Sequence, residues 1–241
     1  ECPSFRCKIS HIWHPDIGFT ASRARNLGAL ASTGKYLIFL DGDCVPSLDF
    51  LAAHRRLREQ GTFVNGSRVL LSPALTQLAV SGTVSLHLQT TWDWLIYRLQ
   101  GHANKWLWML GSLAAQHWRW LFQQRLMPRF VWKGIRSCNF GVWRKDFYAV
   151  NGFDETFAGW GHEDADLVLR LHHAGLQRKN GFWATEVWHL HHPENARANE
   201  QINRQRVVTR IAQNTVLAEV GLLQPTHSNT VVTQLNQEHT A

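Results

Sequence analysis

The sequence feature that most constrains the fold is an apolar and aromatic run, Tyr36–Leu40, that ends abruptly at Asp41. A continuous run of this length predicts a central strand covered on both faces. Upstream of it, the pattern predicts a strand at residues 8–13 and a helix at residues 22–31 with Ser22 as its cap. Strand, helix and strand with short connections predict an α/β fold with a mainly parallel sheet flanked by helices. Ligands bind at the carboxyl ends of strands in such sheets, which is where Asp41 lies.

Composition narrows the classes of partner. The chain has 241 residues, 44% of them hydrophobic, which is enough for one sizeable core or for one domain with a peripheral extension. Lysine and arginine number 25 against 18 acids, and the net charge is +7. This charge suits a nucleotide, a nucleic acid or an anionic membrane. The basic residues are scattered along the chain, which argues against a nucleic-acid partner.

The cysteines indicate the compartment. Cys2, Cys7, Cys44 and Cys138 have neither the CxxC spacing of a zinc site nor the density of a disulfide framework. This usage is typical of a reducing cytosol. The first residues show no basic segment followed by an apolar one, so no signal peptide is visible. We therefore expect a cytoplasmic protein.

Residues 86–133 differ in composition from the rest of the chain and are interpreted as a helical insertion. They hold seven of the 12 tryptophans, at positions 92, 94, 106, 108, 118, 120 and 132. Their apolar stretches are far shorter than the ~20 residues that cross a bilayer. Two interpretations stay open: helices lying in a membrane interface, or a helical subdomain packed on the core. We expect one domain at residues 1–193, followed by a C-terminal helix near residues 200–220 and a polar tail within residues 194–241.

Two carboxylates, Asp41 and Asp43, follow the apolar strand at positions i and i+2, so both side chains lean to the same side. A hard divalent cation such as Mn²⁺ or Mg²⁺ prefers one or two carboxylates together with phosphate oxygens, as in a bound nucleotide diphosphate. The alternative is a solvated turn that happens to contain two aspartates. The position directly after a buried strand favours the metal site.

A second group of acids lies in the segment Gly159-Trp160-Gly161-His162-Glu163-Asp164-Ala165-Asp166, before apolar residues at helical spacing. Acids in a first helical turn sometimes only complement the helix dipole, a contribution under ~1 kcal/mol each. The indole and two glycines in front of them favour a binding role. A sugar hydroxyl needs a carboxylate to take its proton, and a sugar ring stacks on an aromatic face. Trp160, Glu163 and Asp164 supply these groups.

A third group is the histidine segment His189-Leu190-His191-His192, which follows an expected strand at residues 183–188. Imidazole is a common ligand of manganese and other transition metals, so a histidine here would complete the aspartate site. A lone histidine is more often structural, but three in four positions favour a ligand. The remaining histidines, including His172 and His173, are interpreted as helix surface.

Two blocks of the sequence resemble the family 2 glycosyltransferases of the GT-A fold. The first runs Ser22-Arg23-Ala24-Arg25-Asn26-Leu27-Gly28, Gly34-Lys35-Tyr36 and Phe39-Leu40-Asp41-Gly42-Asp43-Cys44. The second runs Arg144-Lys145-Asp146-Phe147, Asn151-Gly152-Phe153-Asp154-Glu155 and Gly159-Trp160-Gly161-His162-Glu163-Asp164, and is similar to β-1,4-galactosyltransferases and chondroitin polymerases. In the galactosyltransferase pattern a glycine stands where this chain has His162. The histidine would narrow the acceptor site.

The resemblance implies a GT-A-like fold and a metal site at Asp41 and Asp43, which His189 and His192 would join. It implies Asp164 as the catalytic base, with Glu163 beside it. Trp160, Gly161 and Glu163 would contact the acceptor, and Arg23, Arg25 and Asn26 would line the donor side together with the two aspartates. The implied reaction is direct displacement with inversion at the sugar carbon.

We therefore expect an inverting, metal-dependent transferase that uses a nucleotide-diphosphate sugar, a UDP-sugar first, and a glycan or lipid-linked acceptor. Peripheral contact with the inner face of a membrane is part of this expectation. The strand and loop that bind the nucleotide base in the family are not seen ahead of the first block, so the N-terminal donor-binding portion is expected to be missing. The alternative is a non-catalytic remnant or partner subunit that binds glycan or membrane.

Overall fold

The computed structural model describes residues 7–18, 20–105, 125–182, 184–193, 197–224 and 230–235. The described strands, in chain order, are β1 (Ser10–Trp13), β2 (Tyr36–Leu40), β3 (Cys44–Pro46), β4 (Thr62–Asn65), β5 (Ser67–Leu70), β6 (Leu126–Met127), β7 (Asn139–Trp143), β8 (Gln177–Asn180), β9 (Glu186–His189) and β10 (Val231–Gln234). The described α-helices are α1 (Ala21–Ala31), α2 (Phe50–Leu57), α3 (Pro73–Val80), α4 (Thr91–Leu99), α5 (Arg144–Ala149), α6 (Glu163–His173) and α7 (Glu200–Gln213). A single 3₁₀ turn forms at Leu86–Leu88. The predicted mixed α/β class is confirmed.

The chain divides into two compact units. The first unit contains the described parts of Glu1–Lys35, Arg144–Arg170 and Ala196–Ala241. The second unit contains the described parts of Tyr36–Trp143 and Leu171–Asn195. Each unit is described below by itself.

The second unit is built on two sheets. One has five strands in the order β2-β7-β4-β8-β6, and the other has three in the order β3-β9-β5. Within these sheets, the pairs β4–β8 and β5–β9 are parallel and the other described pairs are antiparallel. The sheets are therefore of mixed direction, with fewer parallel pairs than expected. The physical reason is that β2 pairs with β7, a distant strand that runs opposite to it along all five of its residues.

Buried polar side chains join the two sheets of this unit. Asn139, on β7, is fully buried, and its amide nitrogen donates to the carbonyl of Ser67 at 2.9 Å and to the carbonyl of Thr185. The amide oxygen of Asn139 lies 2.9 Å from Nε2 of His54, which is also fully buried. Burial lowers the pKa of His54 to about 4, so its ring is neutral near pH 7. Gly66 lies against the Asn139 amide, where a Cβ atom would overlap it.

The described part of the tryptophan-rich insertion packs on the core of the second unit. Trp94, on α4, is 2% exposed and belongs to a buried cluster with Val69, Leu75 and Trp188. Trp92, on the opposite side of the same helix, is 74% exposed. Helix α4 is thus anchored through one face. Trp106, Trp108, Trp118 and Trp120 lie outside the described residues, and among the described ones no helix is long and apolar enough to cross a bilayer.

The first unit departs from the sequence expectation at its N-terminus. Strand β1 pairs antiparallel with β10 in a two-stranded sheet, so the expected β1-α1-β2 unit does not form. Exposure explains this result, because β1 alternates between half-buried and exposed residues and is not a strand covered on both faces. Helix α1 begins at Ala21 with Thr20 at the N-cap position, and Ser22 is buried within the first turn. Ser22 is therefore not the cap.

A buried network of charges holds the first unit together. Arg210, on α7, donates from Nη1 to Asp166 and from Nη2 to Asp154, both at 2.7 Å. Arg170 donates from Nε to Asp166 at 2.7 Å and from Nη1 to the carbonyl of Val150 at 2.6 Å. Both aspartates and Arg170 are fully buried. Helix α7 is thereby tied to α6 and to the segment that precedes it.

The network predicts a large loss of stability for Arg210→Ala. Removing one partner of a buried charge pair leaves the other unpaired in a medium of low dielectric constant, at a cost of about 3–5 kcal/mol. We expect the free energy of unfolding of the variant, measured by urea denaturation, to fall by this amount. Arg204→Ala, at an exposed position of the same helix, is the matched control and is expected to change it by less than about 0.5 kcal/mol. Equal effects of the two substitutions would contradict the role given to the network.

Candidate functional site

Backbone pairing in the second unit brings Asp43 next to the histidine segment. After β2 the chain turns through Asp41-Gly42-Asp43, and the amide of Cys44 donates to the carbonyl of Asp41 at 3.1 Å. Strand β3 then pairs antiparallel with β9, with Cys44 opposite His189. The amide of Leu190 donates to the carbonyl of Asp43 at 2.9 Å. The end of β2 and the end of β9 are thus fixed side by side.

Three side chains converge at this point, and we call them the metal cluster: Asp43, His189 and His192. Oδ2 of Asp43 lies 3.4 Å from Nε2 of His189 and 3.1 Å from Nε2 of His192. The ligand atoms of the three lie within 4.8 Å of one another. Ligands at right angles around one cation, with bonds of ~2.1 Å, are ~3 Å apart. The spacing of the cluster therefore fits a single divalent ion.

The protonation of the two rings also suits a cation. Nδ1 of His192 lies 2.8 Å from the carbonyl oxygen of Pro193, to which it can donate, and in that neutral tautomer Nε2 has a lone pair for a cation. Burial, and then the positive charge of Arg68, lower the pKa of His189, which keeps that ring neutral near pH 7. When both rings are neutral, they and the carboxylate of Asp43 present three electron-pair donors at close range. A shared cation would relieve their repulsion.

Of the four residues predicted as metal ligands, the structure brings together Asp43, His189 and His192. Asp41 lies outside this group of three, and its backbone bonds to the backbone of Cys138 and Cys44. A contact that the sequence reasoning missed is made by Cys44, whose thiol donates to Oδ1 of Asp43 at 3.3 Å. The thiol occupies the oxygen of Asp43 that faces away from the histidines. The contact could have been predicted from the position of Cys44 directly after Asp43.

The predicted acceptor residues lie in the first unit, on a segment that we call the acid loop, residues 158–164. Helix α6 begins at Glu163, as expected from the helical spacing of the apolar residues. Gly159, Gly161 and His162 all have positive φ, of 71°, 108° and 70°. His162 thus adopts a conformation that favours glycine, at the position where the galactosyltransferase pattern has glycine. The positive φ angles of the acid loop therefore explain why Gly159 and Gly161 are glycines.

Helix α7 supports the acid loop from outside the predicted site. The amide nitrogen of Asn203 donates to the carbonyls of Ala158 at 3.1 Å and Gly161 at 3.0 Å. The guanidinium of Arg197 lies 4.9 Å from the centre of the Trp160 ring. These two residues were not predicted, because their partners are backbone carbonyls and an aromatic face that leave no mark in the local sequence.

Glu163 and Asp164 differ in environment. Glu163 is 8% exposed, and its Oε1 lies 3.4 Å from Nη1 of Arg25. Burial, and then the neighbouring charge of Asp164, raise the pKa of Glu163 to about 7, against the opposing charge of Arg25. Asp164 is half-buried and accepts from the amide of Ala165 at 2.8 Å. The acid loop therefore holds one carboxyl that titrates near neutral pH next to a more exposed one.

The three residues predicted to line the donor side contact the second sequence block within the first unit. Arg23 lies 3.5 Å from Glu155, and Arg25 contacts Glu163 and the ring of Phe153. Asn26 is fully buried, and its side chain donates to the carbonyl of Phe153 and accepts from its amide, both at 2.9 Å. The described contacts of these residues are thus with protein groups of the same unit.

Comparison with known proteins matches two segments of the chain to two glycosyltransferase models. Residues 6–83 match the model of glycosyl transferase family 2, and residues 121–193 match a model described as the N-terminal domain of galactosyltransferase. These matches support a family 2 glycosyltransferase. The chain is also similar to proteins described as validoxylamine A glucosyltransferase, from Streptomyces hygroscopicus subsp. jinggangensis (strain 5008) and subsp. limoneus. Each is 24% identical over 187 residues, which cover 71% of this chain and 39% or 37% of the relative.

Both candidate sites lie in the matched segments. Asp43 falls within residues 6–83, and the acid loop and both histidines of the metal cluster fall within residues 121–193. Helix α7, which supports the acid loop, lies beyond both segments. The chain spans less than two fifths of the length of the curated relatives named above.

The raised pKa of Glu163 predicts a pH-dependent stability. Between its ordinary value of 4.5 and about 7, the unfolded chain loses the proton of Glu163 while the folded protein keeps it. Stability from this group is therefore fully present below pH 4.5 and is lost as the pH rises to about 7, by on the order of 3 kcal/mol. We expect Glu163→Gln to remove this part of the pH dependence of the unfolding free energy.

The measurement is urea denaturation of both proteins at intervals from pH 4 to pH 8. Asp49→Asn, at an aspartate whose side chain is 56% exposed and pairs with the exposed Arg56, serves as the control and is expected to follow the wild-type curve closely. Parallel curves for wild type and Glu163→Gln would show that the Glu163 carboxyl ionises normally in the folded protein.

Proposed function

We propose that the protein is an inverting, metal-dependent glycosyltransferase that transfers a sugar from a nucleotide-diphosphate donor to a glycan or lipid-linked acceptor. The observation that carries the proposal is the metal cluster, whose Asp43 follows β2 in the segment that matches family 2 and whose two histidines lie in the segment that matches the galactosyltransferase model. We propose a cytoplasmic enzyme with peripheral contact to the inner face of a membrane. Exposed apolar side chains on one side of α4, Trp92 and Ile96, support that contact.

The metal cluster is assigned to the donor. Oδ2 of Asp43 and the Nε2 atoms of His189 and His192 would hold the cation, and two imidazole ligands favour Mn²⁺ over Mg²⁺. When bound, the cation supplies charge stabilisation to the departing diphosphate. The thiol of Cys44 orients Asp43 by holding its other oxygen.

The acid loop is assigned to the acceptor. Asp164, the more exposed of the two acids, takes the proton of the acceptor hydroxyl as that oxygen attacks the anomeric carbon of the donor. Attack from the side opposite the diphosphate inverts the configuration of that carbon. Glu163 contacts the acceptor beside it, and Gly161, two residues before Glu163 in the acid loop, is assigned to the same site. Trp160 is assigned to stacking on a sugar ring, beside the guanidinium of Arg197, which lies 4.9 Å from the ring centre.

The choice of donor for a first test follows from the relatives. Their names describe glucosyl transfer to validoxylamine A, so UDP-glucose is the donor to try first and validoxylamine A the first acceptor. The whole relatives are more than twice as long as the matched region, so this choice is a starting point for the screen.

Substitution of the carboxylate ligand tests donor binding. We expect calorimetric titration to show UDP binding in the presence of Mn²⁺ and none in EDTA. Asp43→Asn is expected to weaken the Mn²⁺-dependent binding at least about 100-fold, because it removes the anionic ligand of the cluster. Asp49→Asn, at an exposed aspartate of the same unit, is the control. Equal UDP affinity in Mn²⁺ and in EDTA would overturn the metal-dependent proposal.

Substitution of the proposed base tests the chemical step separately. Asp164→Asn is expected to lower the rate of glucose transfer from UDP-glucose by about 10²–10⁴-fold, the usual contribution of a general base, while UDP affinity stays at the wild-type value. Products are measured by mass spectrometry with validoxylamine A and a panel of monosaccharides as acceptors. Unchanged turnover in Asp164→Asn would assign the base to another residue.

A further inference from the structure

One arginine of the second unit shares a sheet face with the metal cluster. In the parallel pair β5–β9, Arg68 lies opposite Val187 and Leu70 lies opposite His189. Directly paired residues point to the same side of a sheet, as do residues two apart on one strand. Arg68 and His189 therefore lie on the same face of the three-stranded sheet. Cys44, the neighbour of Asp43, is opposite His189 on β3 and lies on this face too.

Arg68 has no counter-charge of its own in the described part of the chain. It is half-buried, its Nε atom is fully buried, and it makes no hydrogen bond or ion pair with a described residue. Glu186, the buried acid of β9, lies opposite Ser67, the residue before Arg68. Its side chain is therefore on the other face of the sheet. Glu186 pairs there with Lys105, at 3.9 Å. A half-buried guanidinium without an anion is costly, which makes Arg68 a candidate for binding one.

The strand pairing places the charge of Arg68 on the face of the sheet that carries His189 and Cys44, next to the metal cluster. A cation in the metal cluster would face this guanidinium with charge of the same sign. An anion that contacts both would turn the repulsion into attraction from two sides.

We propose that Arg68 binds the diphosphate of the nucleotide donor, next to the cation held by Asp43, His189 and His192. The inference rests on the proposed function and adds a residue to it. Arginine suits the task because its planar donors match two phosphate oxygens at once and because it stays charged when partly buried. The base and the sugar of the donor lie outside this contact.

The test compares metal binding and diphosphate binding in the same variants by calorimetry. Mn²⁺ alone, and then UDP, pyrophosphate or uridine at saturating Mn²⁺, are titrated into wild type, Arg68→Met and Arg68→Lys. In Arg68→Met we expect UDP and pyrophosphate to bind about 10–100-fold more weakly, the usual range for a hydrogen bond to a charged group. Arg68→Lys is expected to fall between the two. Arg55→Met, at an exposed position of α2, is the matched control and should bind as wild type does.

The affinity of the Arg68 variants for Mn²⁺ alone distinguishes a role in diphosphate binding from structural damage. Removal of a neighbouring positive charge is expected to leave Mn²⁺ binding unchanged or tighter. Weaker binding of Mn²⁺ alone, in step with UDP, would overturn the inference, and so would unchanged UDP affinity in Arg68→Met. If the wild type bound neither Mn²⁺ nor UDP, the proposed function would fail first. If it bound both and the Arg68 variants matched it, only the role of Arg68 would fail.

Discussion

The pairing of Arg210 with Asp166 determines the geometry of the first unit. Both side chains are buried, and a buried charge must be paired, so α7 has to stay in contact with α6. That contact places Asn203 at the two carbonyls that flank Gly159 and Trp160. The acid loop then enters α6 with Glu163 buried. A helix beyond the family-matched segments thereby supports the loop that carries the acids within them.

In the second unit, strand pairing positions the candidate site residues. Its metal cluster depends on β3 and β9, which are far apart in sequence and are joined by backbone hydrogen bonds. The same pairing places Cys44 behind Asp43, and the pairing of β9 with β5 places Arg68 on the face of His189. A single central strand therefore sets the positions of a ligand and a proposed phosphate-binding residue. A shift of the β5–β9 register by one residue would move Arg68 to the face of the sheet opposite His189.

The parts of the fold that the sequence predicted are those with local signals. The apolar run of β2, the turn with Asp43, and the acids at the start of α6 all follow from short patterns. The wrong predictions concern distant partners, since nothing in Ser10–Trp13 indicates that it pairs with Val231–Gln234. For the same reason the support of the acid loop by Asn203 was missed. The roles of the site residues themselves stay predictions, although three of the four expected metal ligands lie together.

The conformation of His162 links the strain of the acid loop to its support. A residue with a side chain in the left-handed region costs about 1 kcal/mol or more, and such a conformation persists only where neighbouring contacts over-determine it. Here the contacts are the bonds from Asn203 to Gly161 on one side and the first turn of α6 on the other. Glycine at position 162 would remove the cost and would also let the loop sample other conformations. A histidine there therefore trades stability for a loop that presents Trp160 and the two acids in one arrangement. That arrangement depends on α7, because Asn203 of this helix holds the carbonyl of Gly161.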